Sequence, residues 1–438
     1  MKSMAFVVAL LGIIFALANG FAQSNPTYIQ FSPGEVKGAL YRPDSGPAPH
    51  VGILVIHRTS NVMGSLSCTE LAARGFMVLC MNPRSDNNEA LVIWETLPLD
   101  VKSGVTFLRK QPGITKVLLL GGSGGGPTTS FYQAVAENGP SYCQGMNKLI
   151  KCGNNLAGLP PADGIVFRDA HPGNPVIAGV RNLNPAVVND EAIYHRNAPV
   201  RINPNLDPFD PRNGYNPSGA STYSESFKKR YFVGQAERMN TLIDLALQRL
   251  HEIEASDNPD DDDAFIIRRG DSAKLFQLDL SILHSTVKPQ KLLKNDGTIV
   301  KQIVESVRVP APELAQLNPA FNGGTLFLTI RSFLSANAIR AWNSIDGIDD
   351  CTSNNSTVCA VQSISVPVLF ASMQGHYFIR DNEIHYDLAK SVDKDFIIIE
   401  GATHGITPCV PCEQFPGQYS NSVKNFFDYV AGWINARF

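Results

Sequence analysis

The chain has no surplus of positive charge. Its formal net charge is −3 over 438 residues, which removes the electrostatic case for a nucleic-acid or anionic-membrane partner. No repeat of about 20–50 residues is visible, so solenoid architectures fall away. Beyond the N-terminal region no segment is apolar enough to cross a bilayer, which takes roughly 20 residues. Cys409-Val-Pro-Cys412 has no second Cys-x-x-Cys to complete a zinc ribbon, and no metal site is expected. The acidic run Asp257 to Asp263 lacks EF-hand spacing and reads as a solvated turn.

What is present is ordinary for a globular protein, with 44% hydrophobic and 18% charged residues. The length suffices for one large core plus a sizeable insertion. Lys2, the apolar stretch Met4 to Ala18 and the small residues Gly20 and Ala22 form a signal-peptide pattern over 1–22. A secreted or periplasmic location is therefore expected, with no membrane span once the signal is removed. The eight cysteines then suggest disulfides. Cys143/Cys152 and Cys351/Cys359 are near neighbours suited to local bridges. Cys409 and Cys412 can close a tight ring, act as a redox pair or hold half a metal site. Cys68 and Cys80 either pair or stay as buried thiols. Asn354 and Asn355 lie in N-x-S/T sequons.

Buried-strand runs at Val51–Ile56, Phe76–Cys80 and Val117–Leu120 alternate with helical periodicity over Met63–Arg74 and Leu99–Lys110. That rhythm predicts a mostly parallel sheet with helices on both faces. The third run breaks into Gly121-Gly-Ser-Gly-Gly125, a G-x-S-x-G pattern. Such a sharp strand-to-helix turn strains the serine backbone and lifts its Oγ clear of the sheet. Asp163–Phe167 predicts a further strand ending in Arg168-Asp-Ala-His171, and Tyr223–Glu254 a long helix. Asn295-Asp-Gly-Thr298 reads as a hairpin turn.

Glu70 to Leu79, Asp100 to Gly113 and Gly121 to Gly125, taken with Val366 to Phe370 and Asp395 to Gly405, resemble the two halves of an α/β-hydrolase. The resemblance covers roughly 28–172 and 363–438. It implies an α/β-hydrolase fold in which core segments 23–172 and 363–438 flank an inserted cap, 173–362. It also implies Ser123 as nucleophile and His404, in Thr403-His-Gly405, as general base, in the family's Ser…acid…His order. The family's usual acid position, three residues after Gly375, holds Phe378. Asp381 is the expected acid, with Asp169 and Glu383 as alternatives, and Asp381 also suits a helix N-cap.

The oxyanion hole is expected from the N–H groups of Gly124 and of Thr59 or Arg58, although Arg58 stands where the family has glycine. His57, His171 and His376 are expected to line the pocket; Phe327, Phe333, Leu334 and Trp342 are what a lipase's acyl pocket could draw on, although aromatics at that spacing are more often plain core. The expected activity is a secreted serine hydrolase of carboxylic esters, small or lipid-like, needing no cofactor. Amide or C–C bond hydrolysis by the same triad is the alternative, and so is a non-catalytic relative that binds a ligand or partner.

Overall fold

Strands that are buried on both faces carry the architecture. The computed structural model describes residues 25–31, 35–190, 201–268, 279–309 and 326–438; the expected signal segment 1–22 lies outside the described residues. In chain order, the first half of the core comprises β1 (Thr27–Gln30), β2 (Lys37–Tyr41), β3 (Val51–Ile56), α1 (Leu66–Ala72), β4 (Met77–Asn82), α2 (Leu97–Arg109), β5 (Lys116–Gly122), α3 (Gly125–Asn138) and β6 (Gly164–Arg168). Every residue of β3 and β4 is buried, as a strand covered by helices on both sides requires.

The middle of the chain supplies the 30-residue helix α4 (Glu225–Glu254), β7 (Ala264–Ile267), β8 (Gln290–Leu293), β9 (Ile299–Gln302), β10 (Leu326–Thr329), β11 (Ala341–Asn343), β12 (Gly347–Ile348) and α5 (Thr357–Val361). The last part is β13 (Val368–Met373), α6 (Ile379–Leu388), β14 (Lys394–Ile399) and α7 (Ser422–Asn435).

Among the described residues one sheet has ten strands, in the order β1-β2-β4-β3-β5-β6-β13-β14-β8-β9. From β4 to β8 all neighbours run parallel. Leu71, Phe426, Phe427 and Val430 of α1 and α7 fill one face. Val101, Val105, Phe131, Ala360 and Ile379 of α2, α3, α5 and α6 fill the other. This is the α/β-hydrolase fold, a mostly parallel sheet with helices on both sides.

The Asn295 hairpin forms, with Lys294 N–H donating to Thr298 O at 2.8 Å. Its strand β8 joins the main sheet beside β14, so part of segment 173–362 extends the core sheet. The rest of that segment has its own apolar cluster, in which Met239, Leu242 and Ala246 of α4 pack against Phe265, Phe333 and Leu334. Ser224 caps α4 by accepting the Phe227 N–H at 3.2 Å. The acidic turn is tied down by neighbours, Asp263 pairing with Arg249 and Asp262 accepting the Arg331 N–H.

All eight cysteines pair, as Cys68–Cys80, Cys143–Cys152, Cys351–Cys359 and Cys409–Cys412. The first bridge ties α1 to β4. Asn354 and Asn355 are buried, and their amides donate to Glu95 and Ala336 O, so neither sequon is open to a glycan in the folded chain. No helix among the described residues is long and apolar enough to cross a membrane.

Candidate active site

At the carboxyl end of β5 the chain turns directly into α3, and Ser123 holds the turn at φ 52°. A side chain in this left-handed region is strained by about 1 kcal/mol or more. The backbone holds it there: Ser123 N–H donates to Arg168 O at 3.1 Å, and Gly126 N–H donates back to Ser123 O at 3.0 Å. One strand over, Asp169 leaves β6 with φ 44°. Gly122 and Arg168 are partners in the β5–β6 register, so the serine and the aspartate exit side by side.

Asp169 is fully buried. Its Oδ1 accepts from Met373 N–H at 3.2 Å and Ser372 Oγ at 3.3 Å. Its Oδ2 lies 2.6 Å from His404 Nδ1. Burial alone would raise its carboxyl, but the adjacent His376 and His404 outweigh burial and hold it well below the ordinary range. His376 Nδ1 also approaches Oδ2, at 2.8 Å, without hydrogen-bond alignment, and its ring stacks on His404 with centroids 4.3 Å apart.

These three side chains are the group among the described residues that brings metal-ligand atoms within 4.8 Å of one another. The 2.6 Å between His404 and Asp169 is nevertheless a hydrogen-bond separation. Two ligands about 2.1 Å from a shared tetrahedral zinc ion would stand about 3.4 Å apart.

The other two candidate acids are occupied elsewhere. Asp381 is buried against Arg181, Nη1 to Oδ1 3.0 Å, and borders a cavity of about 340 Å3 that includes neither Ser123 nor His404. Glu383 accepts from Val287 N–H, Lys288 N–H and Gln290 Nε2 and pairs with Arg380. Neither meets His404. Asp381 does not cap α6 either, since it lies inside the first turn and Phe378 precedes the helix.

The loop after β3 also departs from expectation. Thr59 N–H and Ser60 N–H both donate to His57 Nδ1, at 3.1 and 2.9 Å, so the Thr59 amide is not open to a substrate. The N–H groups of Arg58 and Gly124 have no partner among the loop and cap hydrogen bonds of the described residues. His57 and His171 are buried. Burial first, and then the Arg58 charge, lower both imidazoles well below the ordinary value. His376 is lowered by burial against the pull of Asp169.

Phe333 and Leu334 belong to the α4 cluster, while Phe327 and Trp342 are exposed, so these four do not form one apolar site. Three residues at the elbow escape sequence reasoning: Glu89, which accepts from Arg58 and Thr59 Oγ1, Arg168 and Ser372. A charged residue at a strand end, such as Arg168, is the only signal that could have raised one of them.

The sequence matches no protein-family model and no curated protein. Solved structures similar to it include Est1E from Butyrivibrio proteoclasticus, with 10% identity over 94% of this chain and 98% of that one and a TM-score of 0.38. Brefeldin A esterase, described as a bacterial homologue of human hormone sensitive lipase, has 11% identity over 98% and 81%, with a TM-score of 0.39. The hypothetical protein PA2218 from Pseudomonas aeruginosa has 13% identity over 95% of both chains, with a TM-score of 0.41.

Proposed function

We propose that the protein is an exported serine hydrolase of carboxylic esters, with Ser123, His404 and Asp169 as its triad. The observation that carries this reading is the 2.6 Å His404 Nδ1–Asp169 Oδ2 contact beside a serine held at positive φ on a strand-to-helix turn. The chain order Ser123…Asp169…His404 is also the order this fold uses. Ser123 Oγ attacks the ester carbonyl while His404 Nε2 takes its proton, and Asp169 holds the Nδ1–H tautomer. The N–H groups of Gly124 and Arg58 receive the oxyanion. His404 returns the proton to the departing alcohol, and water, activated by the same histidine, then frees the acid and restores Ser123.

Export by the 1–22 segment is supported by the four disulfides. Much of 173–362 serves as a cap over the site. Labelling by a fluorophosphonate, with ester hydrolysis, tests the assignment; both should vanish in Ser123→Ala. Undiminished hydrolysis by that variant would overturn it.

A further inference from the structure

The elbow is walled by hydrogen-bond donors that lack acceptors. On one side of Ser123, a Cβ at Gly124 would overlap Arg58 Nη1 and stand 2.7 Å from His57 Nε2. On the other side, a Cβ at Gly122 would overlap the guanidinium of Arg168. The two chain neighbours of Ser123 therefore each face an arginine guanidinium.

The protons on this wall can be assigned. His57 Nδ1 accepts two backbone N–H groups, so the neutral ring carries its hydrogen on Nε2. His171 Nδ1 accepts the Gly173 N–H at 3.1 Å, which likewise puts its hydrogen on Nε2. Arg58 commits Nε and Nη2 to Glu89, at 3.2 and 2.7 Å. Its remaining Nη1 lies 3.3 Å from His171 Nε2, which leaves two donors facing each other. Arg168 Nε is buried with no hydrogen-bond partner, and its guanidinium pairs with no carboxylate among the described residues.

The two nearby acids do not fill the gap. Glu89 is taken by Arg58 and Thr59, and Asp169 turns to His404 and Met373. A buried donor left unpaired is costly, and a buried guanidinium more so. A transient oxyanion is a single atom and is already served by two backbone N–H groups. The planar fork of Arg168 matches the paired oxygens of a carboxylate. With Arg58 balanced by Glu89, the one uncompensated guanidinium, Arg168, suits a monoanion.

We propose that the substrate carries a free carboxylate near its scissile ester, as in a hemi-ester of a dicarboxylic acid, and that Arg168 binds that carboxylate. This rests on the ester-hydrolase reading above.

The test compares the monomethyl esters of succinate, glutarate and adipate with their dimethyl esters, followed by proton release on the full mature chain. Active sites are counted by fluorophosphonate labelling of Ser123. At least one hemi-ester should exceed its diester tenfold or more in kcat/KM. Arg168→Met should lower that ratio by about 10- to 100-fold, the range of a charge-assisted hydrogen bond, and Arg168→Lys should recover part of it. If Arg168→Met does not fold, inhibition of the wild type decides: butyrate should bind at least tenfold more tightly than butyramide. A labelled enzyme that favours every diester, or an Arg168→Met ratio equal to wild type, overturns the carboxylate site and leaves the hydrolase reading standing. A protein that neither labels nor cleaves any ester overturns both.

Discussion

Replacing Asp169 by asparagine separates the orienting role of this carboxylate from its bulk. Its two oxygens have different partners: Oδ1 faces two donors, Met373 N–H and Ser372 Oγ, and Oδ2 faces His404 Nδ1. An amide placed here keeps its oxygen toward the donors, so its NH2 takes the place of Oδ2. That NH2 donates to His404 Nδ1 and fixes the ring hydrogen on Nε2, pointing at the serine it should deprotonate. The ring keeps its place and loses its function as a base. Losing the correct tautomer costs on the order of 10^3–10^4 in kcat, equivalent to about 4–5.5 kcal/mol of barrier. Stopped-flow hydrolysis of 4-nitrophenyl butyrate at pH 8 measures it, with near-UV circular dichroism to confirm folding. The reasoning is refuted if folded Asp169→Asn keeps more than a tenth of wild-type kcat, or if Asp381→Asn loses as much as Asp169→Asn does.

Asp381→Asn should instead be a stability variant. It leaves Arg181 charged in a site where both side chains are almost wholly covered, a loss of about 3–5 kcal/mol, with kcat per folded molecule within about twofold of wild type; urea denaturation and active-site titration separate the two. Burial pushes the Asp350 carboxyl up to about 6 from 3.8. The folded protein therefore holds a proton there that the unfolded chain has released, and the resulting stability is complete below pH about 4 and lost as pH rises through 6. The full shift corresponds to about 3 kcal/mol, reduced to about 1–2 by the solvent access this half-buried group keeps. The melting-temperature advantage of Asp350→Asn over wild type should accordingly grow between pH 4 and pH 7, and a constant difference would count against it. Gly124→Ala drives a methyl into Arg58 and His57 beside an oxyanion-hole amide, so kcat should fall by about 10^2–10^3 with little change in melting temperature. Replacing Cys68 and Cys80 by serine together opens a loop closed across 12 residues and should cost about 3 kcal/mol, read from the urea midpoint.

The parts of this site that can be read from sequence are those with a local cause. Ser123 is legible because the turn from β5 into α3 crowds its neighbours and demands the glycines around it. His404 is legible because it follows an apolar strand and sits in a short polar turn. The proposed acid has no such local mark. Asp169 and Asp381 are both carboxylates near strand ends, and what distinguishes them lies far along the chain: Arg181 claims one from 200 residues away, and His404 meets the other across 235. The same limit hid the sheet edge. Asn295-Asp-Gly-Thr298 announces a hairpin, but nothing local says that β8 pairs with β14, about 100 residues later. Asn354 and Asn355 show the converse, since a sequon is a purely local pattern and burial overrides it.

Register explains why Asp169, the proposed acid, lies at the end of β6. In the parallel pair β5–β6, Gly122 stands opposite Arg168, so the next residue of each strand, Ser123 and Asp169, leaves the sheet at the same level. Both leave with φ in the left-handed region, and the Ser123 N–H to Arg168 O bond locks the two exits together. The neighbouring strand β13 supplies the Ser372 hydroxyl and Met373 amide that receive Asp169. A carboxylate on α6 would have to reach the histidine from a helix packed on one face of the sheet, and Asp381 is turned instead toward Arg181. The left-handed conformation costs each residue about 1–2 kcal/mol. Against that cost, three adjacent strands hold Ser123 and Asp169 in a fixed relation, the rigidity that the proposed triad requires.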